Sequence, residues 1–357
     1  MKFGYFTLSD NHYPGNPRTA EQFLHDIVVE SIHADRIGMN SVWIGEHHFN
    51  RRGTVSCPGM VLAAIAREAK RVRLAPAVTV LPMHNPIAVA EEWATLDQIS
   101  GGRVDFAMGR GYDPTEYTPF GADFQKSAEI FAEGCELLWK LWTEKGLVSF
   151  SGQFYKCDAI ELTPKPVQWP LVPHVACFSR YSMELAGRYG WHIVFAPFAA
   201  QIMFGGLKGA VDAYHAECDK NGKKRGRAVC SYFIHISDTA AEEEMGRDWL
   251  IRYFRDSGMR PKGAAPAKMP PSMEYMNKVH GWLQTFDRYE LNDTSIVLGP
   301  PKRIVESLKR AEDAGIDEVV LYFNVGMKPH KIVMEQMDRF MSEIAPAFAA
   351  SKMAAAQ

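Results

Sequence analysis

Val72-Arg73-Leu74-Ala75-Pro76-Ala77-Val78-Thr79-Val80-Leu81, then Pro86 through Ile99, then Gly101-Gly102 and Val104-Asp105-Phe106-Ala107-Met108, is the stretch on which the fold turns. The first run has strand length and is rich in Val and Leu. The middle run opens on Pro, which suits a first helical turn, and stops at two Gly. The last run reads as a strand again. A strand, a helix and a strand at this spacing make a unit whose strands pair in parallel through a right-handed crossover.

The same rhythm extends in both directions. Lys2–Leu8 reads as a strand. Thr19–Gly38 follows as a helix capped by Thr19, with Phe23, Ile27, Ile32 and Ile37 on one broad face. Ser41–Gly45 is the second strand, and Pro58 with Met60–Ala69 the helix after it. Beyond Met108 come a helix over Ser127–Trp142 and a small hairpin, Val148–Phe150 with Gln153–Tyr155, turning at Ser151-Gly152. Further strands are expected at His174–Cys177, Ile193–Ala196, Val229–Ile236 and Glu318–Phe323. Helices are expected at Ser182–Tyr189, Gln201–Asn221, Thr239–Phe254, Pro301–Ala314 and His330–Ile344. Eight strands, each followed by a helix, close into a (β/α)8 TIM barrel, read here as one domain over residues 1–357. A doubly wound sheet would want a Gly-rich turn after the first strand, and Leu8-Ser9-Asp10-Asn11-His12 has none. Asp256–Thr294 breaks the rhythm with Gly258, Pro261, Gly263, Pro266, Pro270 and Pro271. It reads as an insertion of lid type before the last strand.

Composition removes several function classes. The 40 Lys and Arg against 42 Asp and Glu leave a formal charge of −2, without the basic excess of a nucleic-acid binder. No apolar run approaches the ~20 residues that span a bilayer. Met1-Lys2-Phe3-Gly4-Tyr5-Phe6 leads directly into Thr7-Leu8-Ser9-Asp10, so no signal peptide is expected. Six scattered Cys form no CxxC pair, which fits a reducing cytoplasm rather than a disulfide frame or structural zinc.

In a barrel the site lies where strands end. The second strand ends in Glu46-His47-His48-Phe49. Neighbouring strand residues point to opposite sides, so only one of the two His faces the mouth. Barrel metal sites built on strand His need His-x-His, and no HExxH is present, so no metal is expected. The fourth strand ends in Gly109-Arg110-Gly111-Tyr112. Two Gly let the backbone approach a ligand while the guanidinium offers forked donors to anionic oxygens; the same residues would also make a tight turn with a solvated Arg. The fifth ends in Cys177-Phe178-Ser179-Arg180-Tyr181-Ser182 before a helix, which suits a phosphate and equally a Ser-capped helix. Ser179 lacks a G-x-S-x-G setting, which disfavours a hydrolase nucleophile. Trp43, Phe49, Tyr112, Phe178, Phe195, Phe198 and Trp282 are candidates to line an apolar pocket.

Taken together, these blocks resemble the bacterial luciferase-like monooxygenases. The resemblance is carried by Met1-Lys2-Phe3-Gly4 with Phe6, by Ser41-Val42-Trp43 through Phe49, and by Arg73–Pro82 with His84-Asn85-Pro86. It continues through Ala90-Glu91-Glu92, Leu96-Asp97-Gln98, Ser100-Gly101-Gly102-Arg103, Gly109–Tyr112 and Phe120-Gly121. Gly299-Pro300-Pro301, Ala314-Gly315-Ile316-Asp317-Glu318, Met337 and Phe340 before Pro346 extend it over nearly the whole chain.

The resemblance implies a TIM barrel that binds reduced FMN, activates O2 as a flavin C4a-(hydro)peroxide and oxygenates a small, largely apolar organic substrate. It matches His47 to the family's catalytic His, with Glu46 or His48 orienting it, and Arg110 to the flavin phosphate. Ser179, Arg180, Tyr181 and Ser182 match a second phosphate loop. Gly109 and Tyr112 fall in the cofactor region, and Ala77-Val78 where the family often has a non-prolyl cis peptide under the flavin ring. Asp256–Thr294 matches the family's mobile loop. Luciferase catalytic subunits carry Cys at the position of Gly109 and Glu-Ser near Cys177-Phe178, so a non-luminescent relative is expected. No GxGxxG nicotinamide fingerprint appears, which points to a separate flavin reductase as partner. The family also implies a homodimer. It contains members that use the deazaflavin F420 for hydride transfer and a non-catalytic luciferase subunit. These are the alternatives.

Overall fold

Thr19 begins the first helix as its spacing predicts: its hydroxyl accepts the Gln22 N–H while the Gln22 side chain returns to the Thr19 backbone. The structure is a computed structural model, and it describes residues 1–49, 53–256, 268–290 and 294–348. In chain order it contains β1 (Lys2–Thr7), α1 (Ala20–Arg36), β2 (Ser41–Ile44), α2 (Pro58–Glu68), β3 (Arg73–Pro76), β4 (Thr79–Val80), α3 (Pro86–Ser100), β5 (Ala107–Gly109) and α4 (Pro114–Tyr117). Then follow α5 (Ser127–Thr143), β6 (Val148–Ser151), β7 (Lys156–Ile160), β8 (His174–Ala176), α6 (Arg180–Tyr189), β9 (His192–Phe195), α7 (Pro197–Phe204) and α8 (Leu207–Lys220). The chain continues with β10 (Ala228–Ile236), α9 (Ala240–Asp256), α10 (Tyr275–Thr285), β11 (Ile296–Gly299), α11 (Pro301–Asp313), β12 (Glu318–Tyr322) and α12 (His330–Arg339).

The main sheet is parallel and runs β3-β2-β1-β12-β10-β9-β8-β5-β4. Because β3 and β4 belong to one stretch of chain, and Leu74 of β3 also bridges Val104 just before β5, the sheet returns on itself as a barrel. Side chains alternate between two cores, as a closed sheet requires. Tyr5, Val42, Leu74, Phe106 and Val319 face the helices. Phe6, Trp43, Ala75, Ala107 and Val320 face inward. Register places Phe6 beside Trp43, and Trp43 beside Ala75, so these inner residues form one layer.

Four sequence expectations are corrected. The third strand is not one run over Val72–Leu81 but β3 and β4, separated at the cis Ala77–Val78 bond. The hairpin does not turn at Ser151-Gly152. Glu133 accepts the N–H groups of Gln153, Phe154 and Tyr155 at 2.8, 2.7 and 2.7 Å, holding them in the loop, and Lys156–Ile160 pairs instead. The helix expected over Gln201–Asn221 is split into α7 and α8 by Gly205 and Gly206, whose φ values are +75° and +136°. β11 was not foreseen. It pairs with the C-terminal end of β10, so the irregular segment precedes β11 rather than the last strand. Of the Asp256–Thr294 segment, residues 257–267 and 291–293 lie outside the described residues. The rest contains α10. No described helix is long and apolar enough to cross a membrane.

The base of the barrel holds a deeply buried histidine. His174 is fully buried, neither ring nitrogen has a hydrogen-bond partner among the described residues, and its ring lies edge-on to Trp43 at 5.4 Å and 4.6 Å from His192. Burial holds the imidazole well below its ordinary pKa, and His192 acts in the same direction. A His whose folded-state pKa is depressed contributes full stability above its unfolded pKa of about 6.5, and stability is lost as pH falls below that value. The melting temperature should therefore drop between about pH 7 and pH 5, and His174→Phe should drop less over that interval. Equal pH slopes for the two proteins in thermal melts would contradict this.

Candidate active site

β2 delivers Glu46, His47 and His48 to the C-terminal mouth of the barrel, where all three are buried. The His47 N–H donates to the Val55 carbonyl at 3.0 Å. Residue 53 must be Gly because a Cβ there would stand 2.8 Å from His47 Cδ2 and 2.5 Å from the Leu8 carbonyl oxygen. The two histidines diverge as strand alternation predicts. His47 lines a cavity at the mouth, whereas the His48 ring turns to Glu46.

The carboxylates divide the work differently from the expectation. The Glu46 carboxylate does not hydrogen-bond the His47 ring. Its Oε1 meets His48 Nε2 at 3.1 Å and His84 Nε2 at 2.7 Å. Burial alone would raise the Glu46 pKa, but hydrogen bonds from His48 and His84 hold it below the ordinary value. Burial would lower His84, and Glu46 raises it instead. The residue facing His47 is Glu116 on α4, whose Oε1 lies 3.4 Å from His47 Nδ1 and accepts the His48 backbone N–H at 3.1 Å. Glu116 was missed because nothing local in Asp113-Pro114-Thr115-Glu116 marks a partner 69 residues away. His84 was missed for the same reason. With it, donor atoms of Glu46, His48 and His84 lie within 4.8 Å of one another, a grouping able to hold a metal ion that the adjacent His pair alone did not suggest. Here hydrogen bonds between the three satisfy these atoms.

β5 ends at Gly109, where a Cβ would stand 2.8 Å from Val78 Cγ2 and 3.1 Å from Ala176 Cβ. Gly111 takes φ +67°. Between them Arg110 is buried, with its Nη1 donating to Ser272 Oγ at 2.8 Å and its guanidinium 5.6 Å from the Tyr181 ring centre. Among the described residues no carboxylate forms an ion pair with Arg110, and burial pushes its pKa down. A buried cation without a counter-charge is costly, so this position fits an anionic group of a ligand. Ser179 and Ser182 form a reciprocal cap at the start of α6. They remain at the cavity wall, so the cap and a place beside a ligand coexist. Arg180 does not: it is exposed and packs over Phe204 at 5.7 Å.

Glu46, His47, Ala77, Val78, Gly109, Arg110, Tyr112, Ser179 and Ser182 thus line one cavity, while His48, Arg180 and Tyr181 do not. Trp43, Phe178, Phe195 and Phe198 give it an aromatic wall. Phe49 is 70 % exposed beside Phe120 and takes no part. The Trp282 side chain is outside the described residues. Glu116, Ser231, Phe233, Met273, Tyr275 and Met276 are also on the lining. The last three come from the segment read as a lid. Its Pro and Gly content concealed the helical turn at Pro271–Met273 and the start of α10, which carry them.

Known proteins share this fold. The model of the luciferase-like monooxygenase family matches residues 1–318. The oxygenase component of the flavin-dependent trigonelline monooxygenase of Acinetobacter baylyi is 24% identical over 360 residues, covering 99% of this chain and 97% of the relative. The oxygenating constituent of 3,6-diketocamphane monooxygenase from Pseudomonas putida, solved in complex with FMN, superposes with a TM-score of 0.72 at 20% identity, covering 97% of this chain and 98% of that one. An F420-dependent secondary alcohol dehydrogenase, solved with an F420-acetone adduct, gives the same TM-score of 0.72 at 19% identity, covering 96% and 98%.

The tight contacts at Gly109 have a consequence for stability. Gly109→Ala must displace Val78 or Ala176 and should destabilise the fold by about 1–3 kcal/mol in urea unfolding. Unchanged stability would mean that β5 moves aside freely.

Proposed function

This chain belongs to the luciferase-like monooxygenase family, and from that premise we propose that it uses reduced FMN and O2 to oxygenate a small, largely apolar organic substrate. One oxygen atom would enter the substrate and the other would leave as water. The observation that carries the reading is Arg110, a buried cation with no carboxylate partner among the described residues, on the wall of a largely apolar cavity at the barrel mouth. The flavin phosphate supplies the missing charge. Ser179 and Ser182 stand on the same wall.

Bound reduced flavin supplies the electrons that activate oxygen; the chain supplies place, dryness and proton control. Phe6, Trp43, Phe178, Phe195 and Phe233 exclude water from the cavity. His47 is the group placed to hold or move a proton there, through Nε2. Arg110 is the one Lys or Arg among the described lining residues. With its charge committed to phosphate, neutral substrates are favoured over carboxylates. A separate reductase delivers the reduced flavin in this reading, in keeping with the Acinetobacter relative being an oxygenase component.

The second reading is hydride transfer with F420. It is favoured by the equal likeness to an F420-dependent dehydrogenase. Isotope labelling separates the two. With a panel of neutral terpenoid, ketone and aromatic substrates, reduced FMN and 18O2, the product should carry one 18O. Unlabelled product together with F420 turnover would overturn the proposal. His47→Ala should lower product formation by about 10²–10⁴-fold and leave flavin affinity nearly unchanged. Arg110→Gln should weaken reduced-FMN binding about ten- to hundred-fold. Normal turnover in the first, or normal affinity in the second, would remove that residue's assignment.

A further inference from the structure

We propose that Glu116 is the positioning residue for His47: it fixes the ring in the tautomer with Nδ1 protonated and Nε2 open to the cavity, and it offsets the charge when the ring takes up a proton. This rests on the reading of His47 as the proton-handling group, and it adds a residue that the sequence did not indicate.

Four observations converge. Glu116 is 3 % exposed, and its Oε1 faces His47 Nδ1 at 3.4 Å while accepting the His48 N–H at 3.1 Å. A carboxylate only accepts, so the shared proton sits on Nδ1 and the neutral ring keeps its lone pair on Nε2. His47 Nε2 has no protein partner among the described residues. The Cδ2 edge of the ring is crowded by the Gly53 backbone, where an added Cβ would stand 2.8 Å from Cδ2, which limits rotation of the ring. Glu46, the alternative orienting group, is occupied by His48 and His84.

The carrier of Glu116 is itself fixed. Asp113 caps α4 by accepting the Thr115 N–H at 2.9 Å, and the next residue, Tyr117, donates its hydroxyl to the Arg110 carbonyl. One short helix therefore ties the backbone of the phosphate-facing Arg to the orienter of the His. The 3.4 Å separation is long for a hydrogen bond, as is common for catalytic contacts before a ligand closes the site.

The test uses the full chain with 15N-labelled histidine, the His47 ring signals being assigned by their loss in His47→Gln. In the flavin-free wild type the neutral ring should carry its proton on Nδ1; in Glu116→Ala the Nε2-protonated form should appear. A wild-type ring protonated on Nε2, or an unchanged tautomer in Glu116→Ala, overturns the proposal. Glu116→Gln keeps an oxygen for both N–H groups and removes only the charge. Its kcat should fall about 10- to 100-fold with KM for substrate and reduced-FMN affinity held. If Glu116→Ala does not fold, normal kcat in Glu116→Gln overturns the proposal, provided His47→Ala is inactive. A tautomer change with normal turnover in both Glu116→Ala and His47→Ala would instead reject the role of His47 and leave the positioning contact standing.

Discussion

Two carboxylates taken out of water at the barrel mouth, Glu46 and Glu116, set the arrangement of everything near them. A buried carboxylate must be met by donors. Glu46 recruits the His48 and His84 rings, and Glu116 recruits the His48 backbone and the His47 ring. The loop after β2 is therefore held from both sides by negative charge. The His47 ring is left facing the cavity because its neighbours have used the other directions. The opposite situation holds at Arg110, a buried cation without a carboxylate partner among the described residues. The site is uneven in charge by construction: its acids are satisfied within the protein, and its cation is available to a ligand.

The barrel makes this possible by bringing distant segments to one rim. β2, β5 and β8 end at neighbouring positions because they belong to a single parallel sheet closed through Leu74 and Val104. Packing at the rim is tight enough to demand Gly at 53 and 109. α4, only four residues long, joins the two functional halves: Glu116 reaches the His loop while Tyr117 secures the Arg110 backbone. An apolar wall of aromatic residues from several strands separates these groups from solvent.

Much of the fold was legible because hydrophobic periodicity is local. All eight barrel strands appear in the sequence, although the third is broken into β3 and β4, and most helices appear as runs of the expected length and period. What was not legible depended on contacts between distant residues. Glu133 moves the hairpin by capping three loop N–H groups, a contact no local pattern announces. Ile296-Val297-Leu298-Gly299 is too short to stand out after an irregular segment. The same division runs through the site. Glu46, His47, Gly109 and Arg110 follow from asking what comes after each strand, and alternation correctly sends one His inward. Arg180 was placed by its charge at a helix start and by the family resemblance, and the helix turns it outward over Phe204. Glu116 and His84 are visible only once the chain is folded.

The central claim is that the cavity at the barrel mouth receives a flavin, with its phosphate neutralising Arg110. A crystal structure of the protein soaked with FMN tests it most directly. The account predicts the ring system in the cavity bounded by Ala77, Val78 and Gly109, and the phosphate within hydrogen-bond distance of Arg110 and near Ser179 and Ser182. Flavin bound elsewhere, or bound with Arg110 still directed to Ser272 and away from the phosphate, would contradict it.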